Sequence, residues 1–189
     1  MRKIISAALV LAVMLGASAV AAAPKKLTPA NPQPRIKPGL TVVYAYPDEI
    51  KTLRDASKAL QAGGETGPML AGLDYRDTNI GEKALTSNRS ERVAADIRGF
   101  VHFDAPGIYV IDFLTNDGIR AVVGGQVVGK FDGRQTCQET FATQVEVPIA
   151  GWYPLQILYF QRLNSSCLHM RSGLKGSKVT WMPNQAFGH

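Results

Sequence analysis

Histidine, cysteine and tryptophan are scarce in this 189-residue chain, at three, two and two residues. His102, His169 and His189 are scattered and form no H-E-x-x-H pattern. His169 is the only histidine close in sequence to Cys137 or Cys167, so a zinc site is poorly supported. No segment reads G-x-S-x-G, and no phosphate loop occurs, so the nucleophile elbow and nucleotide chemistry lack their usual carriers. The expectation is a protein without catalytic activity. Charged residues at 19% and apolar residues at 46% exclude disordered, collagen-like and coiled-coil classes. Long apolar runs are also missing. The longest, Ile4 to Leu15, has twelve residues and is broken by Ser6, well short of the ~20 that span a bilayer.

That run has a different meaning. Arg2 and Lys3 precede it and small residues from Gly16 to Ala23 follow, the pattern of a secretory signal peptide over residues 1–23, cut after Ala21 or Ala22. Export to the periplasm, the medium or the cell surface is therefore expected, with no integral membrane segment after cleavage. Residues 24–38 hold Pro24, Pro29, Pro32, Pro34 and Pro38 and read as a flexible basic linker. The formal charge of +6 is misleading, because six of the 21 Lys and Arg precede Gly39 and all fifteen acids follow it. Residues 39–189, the expected domain, are neutral, which argues against a nucleic-acid partner. In an exported chain Cys137 and Cys167 are expected to form a disulfide, with a free pair or a redox couple as alternatives. Closing that loop would stabilise the fold by roughly 3–4 kcal/mol.

Leu40–Tyr46 is rich in β-branched and aromatic residues and reads as a strand. Pro47-Asp48-Glu49 then suggests a helix start, Ile50, Leu53, Ser57 and Leu60 fall at helical spacing, and Gly63-Gly64 ends the run. Beyond Glu91 the period becomes two. Ile97–Phe103, Ile108–Thr115, Ile119–Val123, Val127–Phe131, Thr143–Ile149 and Leu155–Gln161 are strand-like and separated by turn residues. A closing strand is expected around Trp181, with that tryptophan in the core. Asn116-Asp117-Gly118 and Gly124-Gly125 are predicted to be tight turns using positive φ. The pattern is that of an all-β antiparallel sandwich or barrel with one short amphipathic helix near the N-terminus.

Arg98 to Val128, RGFVHFDAPGIYVIDFLTNDGIRAVVGGQVV, resembles the core of PA14 domains. Gly107-Ile108-Tyr109-Val110-Ile111-Asp112-Phe113 resembles the family's G-x-[YF]-x-F strand and leads into Asn116 to Arg120, similar to its S-[DN]-D-G-x-[RK] turn, with Gly124-Gly125-Gln126 at its hairpin. A second block, Val145 to Gln161, is similar to the family's later L-x-A-G-x-Y strand pair. The resemblance implies a β-sandwich used mainly for binding, with a glycan as ligand. The other reading is a structural or assembly factor whose partner is an envelope protein.

Some fungal adhesins of the family hold Ca²⁺ through two adjacent acids at the turn. On that pattern Asn116 and Asp117 are the ligand-binding and calcium-binding candidates, although only Asp117 keeps a carboxylate. The alternative role of this pair is to order the turn by side-chain hydrogen bonds. Asp74 and Asp77 form a further carboxylate pair without the spacing of an EF-hand loop. Trp152 and Tyr153 fit turn packing rather than sugar stacking.

Overall fold

The computed structural model describes residues 23–140 and 142–189. The export signal expected over residues 1–23 lies, apart from Ala23, outside the described residues. Fourteen strands and one α-helix follow in chain order. They are β1 (Lys25–Lys26), β2 (Thr41–Ala45), α1 (Leu53–Gly63), β3 (Glu65–Thr66), β4 (Asp74–Tyr75), β5 (Val93–Phe103), β6 (Gly107–Thr115) and β7 (Ile119–Val123). The remainder are β8 (Gln126–Phe131), β9 (Gln138–Glu139), β10 (Thr143–Val147), β11 (Gly151–Gln161), β12 (Leu168–Leu174), β13 (Thr180–Trp181) and β14 (Phe187–Gly188). One sheet has the order β1-β10-β6-β12-β13, with β4 also on β12 and β9 on β6. The other has the order β3-β2-β5-β11-β7-β8, with β14 on β5. Every strand pair is antiparallel except β1 with β10. The expected all-β sandwich is therefore the observed architecture.

Alternation places Ile97, Val101, Ile111, Phe113, Val145, Ile157 and Tyr159 between the sheets, all fully buried. A smaller cluster covers the outer face of the second sheet, where Leu53 and Ala56 of α1 pack with Ile50, Ala94 and Phe160. The helix starts later than Pro47. Thr52 caps it by accepting the Asp55 N–H at 3.1 Å, while Asp55 accepts the Thr52 N–H at 3.0 Å. This reciprocal capping box overrides the proline signal. No helix among the described residues is long and apolar enough to cross a membrane.

Residues 24–38 are not a free linker. Leu27 is fully buried, and the backbone N–H groups of Leu27, Thr28 and Ala30 bond to Glu146, Gly124 and Trp152. Proline is tolerated here because the segment lies along an edge, where few backbone donors are required. The Asn116–Gly118 turn also differs from expectation. Gly124 and Gly125 have φ of 52° and 80°, but none of residues 116–118 lies in the positive region. Glycine is needed at 118 because a Cβ would run into the Phe160 ring. Trp181, expected in the core, keeps 41% of its surface exposed on the edge strand β13.

Candidate ligand-binding site

The end of β6 delivers Thr115, and the chain then turns through Asn116 and Asp117 into β7. Both turn residues are buried. The Asn116 carboxamide is fully committed within the protein. Oδ1 accepts the Cys167 N–H at 3.0 Å, and Nδ2 donates to Gln161 Oε1 at 2.9 Å and to the Ser165 carbonyl. Gln161 in turn donates to the Leu163 and Ser165 carbonyls at 2.9 and 2.7 Å and accepts the Tyr159 hydroxyl at 3.2 Å. Thr115 Oγ1 donates to the Asp117 carbonyl, and Gln135 N–H donates to the Asn116 carbonyl. Two loops, residues 132–137 and 162–167, are thereby held against one turn. The Cys137–Cys167 disulfide joins them covalently with a Cα–Cα separation of 6.0 Å, as expected from the export reading.

Asp117 is less well satisfied. Oδ2 accepts the Arg162 N–H at 2.7 Å, whereas the buried Oδ1 has no hydrogen-bond partner. Burial pushes its carboxyl up to about 6, against the Arg162 N–H bond and the Arg134 and Arg162 charges, which pull it down. Above the pair lies a depression of about 450 Å³ lined by Asp77, Arg134, Gln135, Thr136, Asn164 and Ser165, besides Cys137 and Leu163. Asp77, Arg134, Thr136 and Asn164 are exposed. The structure thus brings the sequence candidates to the floor of a polar depression rather than to its surface.

The donors at this turn do not fit calcium. The amide oxygen of Asn116 is taken by a backbone N–H, which leaves Asp117 Oδ1 as the single unpartnered anionic oxygen of the pair. Ca²⁺ takes six to eight oxygens and favours several anionic ones. Asn116 Nδ2 points at Gln161 Oε1 and Ser165 O, so an N–H donor occupies the space between oxygens where a cation would have to sit. The three described side chains that do converge beside this turn, Cys137, Cys167 and His169, offer sulfur and nitrogen rather than the oxygens calcium takes.

Gln161, which organises the whole floor, was not singled out by sequence. A signal was available. In β11 the core-facing positions are Tyr153, Leu155, Ile157 and Tyr159, and a glutamine follows in phase at 161. A polar residue on the buried face needs partners there. The other sequence candidates lie elsewhere. Asp74 faces His169 Nδ1 at 3.3 Å and Arg76 at 3.3 Å, so it is not paired with Asp77 for acid–base chemistry. His102 contacts the exposed Asp104 at 3.0 Å and the Trp152 ring at 4.8 Å. Tyr153 is buried and its hydroxyl donates to the Ile149 carbonyl at 2.7 Å, the turn-packing role expected of it.

Two sheets in this order, with the β6–β7 turn and its two flanking loops at one end, define the fold of PA14 domains. The solved PA14 domain of the antifreeze protein MpAFP superposes with a TM-score of 0.67 at 12% identity, over 82% of this chain and 92% of that one. The PA14 sugar-binding domain of an RTX adhesin gives 0.60 at 16% identity, over 80% and 98%. An epithelial adhesin A domain from Candida glabrata, solved with Galβ1-3GlcNAc, gives 0.61 at 13% identity, over 83% and 91%. No protein-family model matches the sequence, and no curated protein matches it.

Proposed function

We propose that this protein is an exported, non-catalytic carbohydrate-binding domain whose sugar site is the depression above Asn116 and Asp117. The observation that carries the reading is the division of labour at that end of the sandwich. Asn116, Gln161 and the disulfide fix the loops from below, while Asp77, Arg134, Thr136 and Asn164 surround the opening. Preorganised polar groups suit an uncharged ligand rich in hydroxyls, because little ordering is left to be done on binding. Two similar structures are described as sugar-binding or were solved with a disaccharide, which favours the same ligand class. Binding here is independent of calcium, because Asn116 stabilises the turn and contributes no ligand atom. The signal-like residues 1–23 support a periplasmic, secreted or cell-surface location.

A glycan array probed with the purified protein, with and without millimolar calcium, tests this. Selective sugar binding unchanged by a chelator is expected, and Asp77→Ala or Arg134→Ala should abolish it. A second reading, a partner protein of the cell envelope, is favoured by one observation. An apolar groove of about 620 Å³ lined by Ile36, Met69, Trp152 and Phe187 opens elsewhere on the surface. Silence on the array together with a defined envelope protein bound through this groove would support that reading instead.

A further inference from the structure

One set of soft metal donors comes together among the described residues. The sulfurs of Cys137 and Cys167 and a ring nitrogen of His169 lie within 4.8 Å of one another. Local geometry explains this. Cys167 and His169 are separated by one residue of extended chain entering β12, so their side chains share a face, opposite the core-facing Leu168 and Met170. Cys137 reaches that face from the loop after β8. Asp74 Oδ1 stands 3.3 Å from the buried His169 Nδ1, close enough to pair with it though no hydrogen bond is formed, and the Trp181 ring lies 4.8 Å from the imidazole. A carboxylate beside a histidine is the usual support of a metal-ligating imidazole. While the disulfide is intact, neither sulfur is a thiolate and the set cannot hold an ion.

We propose that a dithiol reductant opens this set, making Cys137, Cys167 and His169 a site for a divalent cation of the zinc type, with Asp74 steadying the imidazole. The first step transfers two electrons and two protons. One thiolate of the dithiol attacks Sγ of Cys137, the sulfur of the half-buried cysteine that lines the depression; Cys167 leaves as thiolate and takes up a proton. The second thiol of the reductant then closes a disulfide with the first and frees the Cys137 thiol. In the second step the cation displaces one proton from each thiol and gains two thiolates and a neutral imidazole. Tetrahedral zinc, with bonds of about 2.3 Å to sulfur and about 2.0 Å to nitrogen, sets its donors roughly 3.5–4 Å apart. The sulfurs must part by side-chain rotation, and the imidazole has to close by about 1 Å. The fourth position is left for water. This site does not depend on the sugar reading, because it uses none of the groups around the depression except Cys137.

Cobalt(II) reads the site directly, through the charge-transfer band of cobalt thiolate. The full chain is reduced anaerobically with dithiothreitol, desalted and titrated. One cobalt per chain is expected for the reduced protein, with binding at least about 100-fold weaker for the oxidised protein. His169→Ala should weaken binding at least tenfold, and Asp74→Asn by about 10–100-fold. The double variant Cys137→Ser with Cys167→Ser should bind none, and its near-ultraviolet circular dichroism reports whether the fold survives without the bridge. A reduced, natively folded chain without the band overturns the proposal. So does His169→Ala binding as tightly as the parent, or a reduced chain that unfolds and is not refolded by zinc.

Discussion

The substitution Asn116→Asp restores the acid pair that calcium-binding members of the resembling family carry, and its effect can be worked out bond by bond. A carboxylate at 116 keeps the bond from the Cys167 N–H, now 3.0 Å long. It loses both donations of Nδ2, to Gln161 Oε1 and to Ser165 O, and sets acceptor against acceptor at each. Two lost bonds cost about 1 kcal/mol each, and a buried oxygen without a donor adds about 1–3 kcal/mol. The total is about 3–5 kcal/mol at neutral pH, or a fall in Tm of roughly 6–20 °C for a domain of this size. Asn116→Ala loses the same two donations and orphans the Cys167 N–H, so by the same reckoning it should cost about 3–5 kcal/mol. Gln161 Oε1 retains the Tyr159 hydroxyl, and Ser165 O retains Gln161 Nε2. Calcium distinguishes the two variants. The aspartate side chain would share its space with Gln161 Oε1, Ser165 O and Asp117, an all-oxygen setting that a cation can knit together. Millimolar calcium should therefore stabilise Asn116→Asp, by about 1.4 kcal/mol for each tenfold excess over Kd, and so raise its Tm, leaving the parent and Asn116→Ala unchanged. Thermal melts followed by circular dichroism, with calcium or chelator, provide the assay. The reasoning is refuted if Asn116→Asp melts with the parent in chelator, or if calcium stabilises the parent.

Three further outcomes are expected. Asp117 holds its proton more tightly folded than unfolded, with a folded value of about 6 against an ordinary 3.8. Its contribution to stability is therefore complete below about pH 4 and is lost as the pH rises through about 6, a change of roughly 2–3 kcal/mol. Urea midpoints of the parent should fall relative to those of Asp117→Asn as the pH rises across that range. Leu27→Ala should cost about 2–4 kcal/mol in urea unfolding, because Leu27 is a core residue and not part of a loose tail; a loss under 0.5 kcal/mol would return residues 24–38 to the status of a linker. Gly118→Ala should destabilise by about 1–3 kcal/mol through overpacking against Phe160, measured by urea unfolding.

Strands facing the core on one side and solvent on the other were legible in the sequence. Val145, Val147 and their polar neighbours in β10 show the period of two that a half-buried strand imposes. Strands covered on both faces were not. Val93, Ala94 and Ala95 are all buried, since α1 covers the outer face of β5 that the sandwich leaves open, so no alternation marks the start of that strand. β12 was hidden for a related reason. His169 and Arg171 occupy its outer face, yet His169 is buried beneath Trp181 and Arg171 pairs with Asp112 at 2.7 Å. Polar residues there look like loop until their partners, many residues away, are known. At the site, Asn116 and Asp117 could be found from the turn motif. Their burial, and the binding of Asn116 to Gln161 and Cys167, depended on long-range folding that no local pattern encodes.

The strap formed by residues 25–30 bonds to both sheets, to Glu146 in β10 on one side and to Gly124 and Trp152 on the other. Gln33 extends the attachment across a separation of 119 residues to the Trp152 backbone. None of these partners exists as an ordered surface until β10, β11 and the β7–β8 hairpin have formed. The part of the described chain that is synthesised first can therefore be seated only near the end of folding, as a clasp drawn over a finished seam. Its amides should gain protection from hydrogen exchange after those of the central strands, and a protease acting during refolding should cut there first.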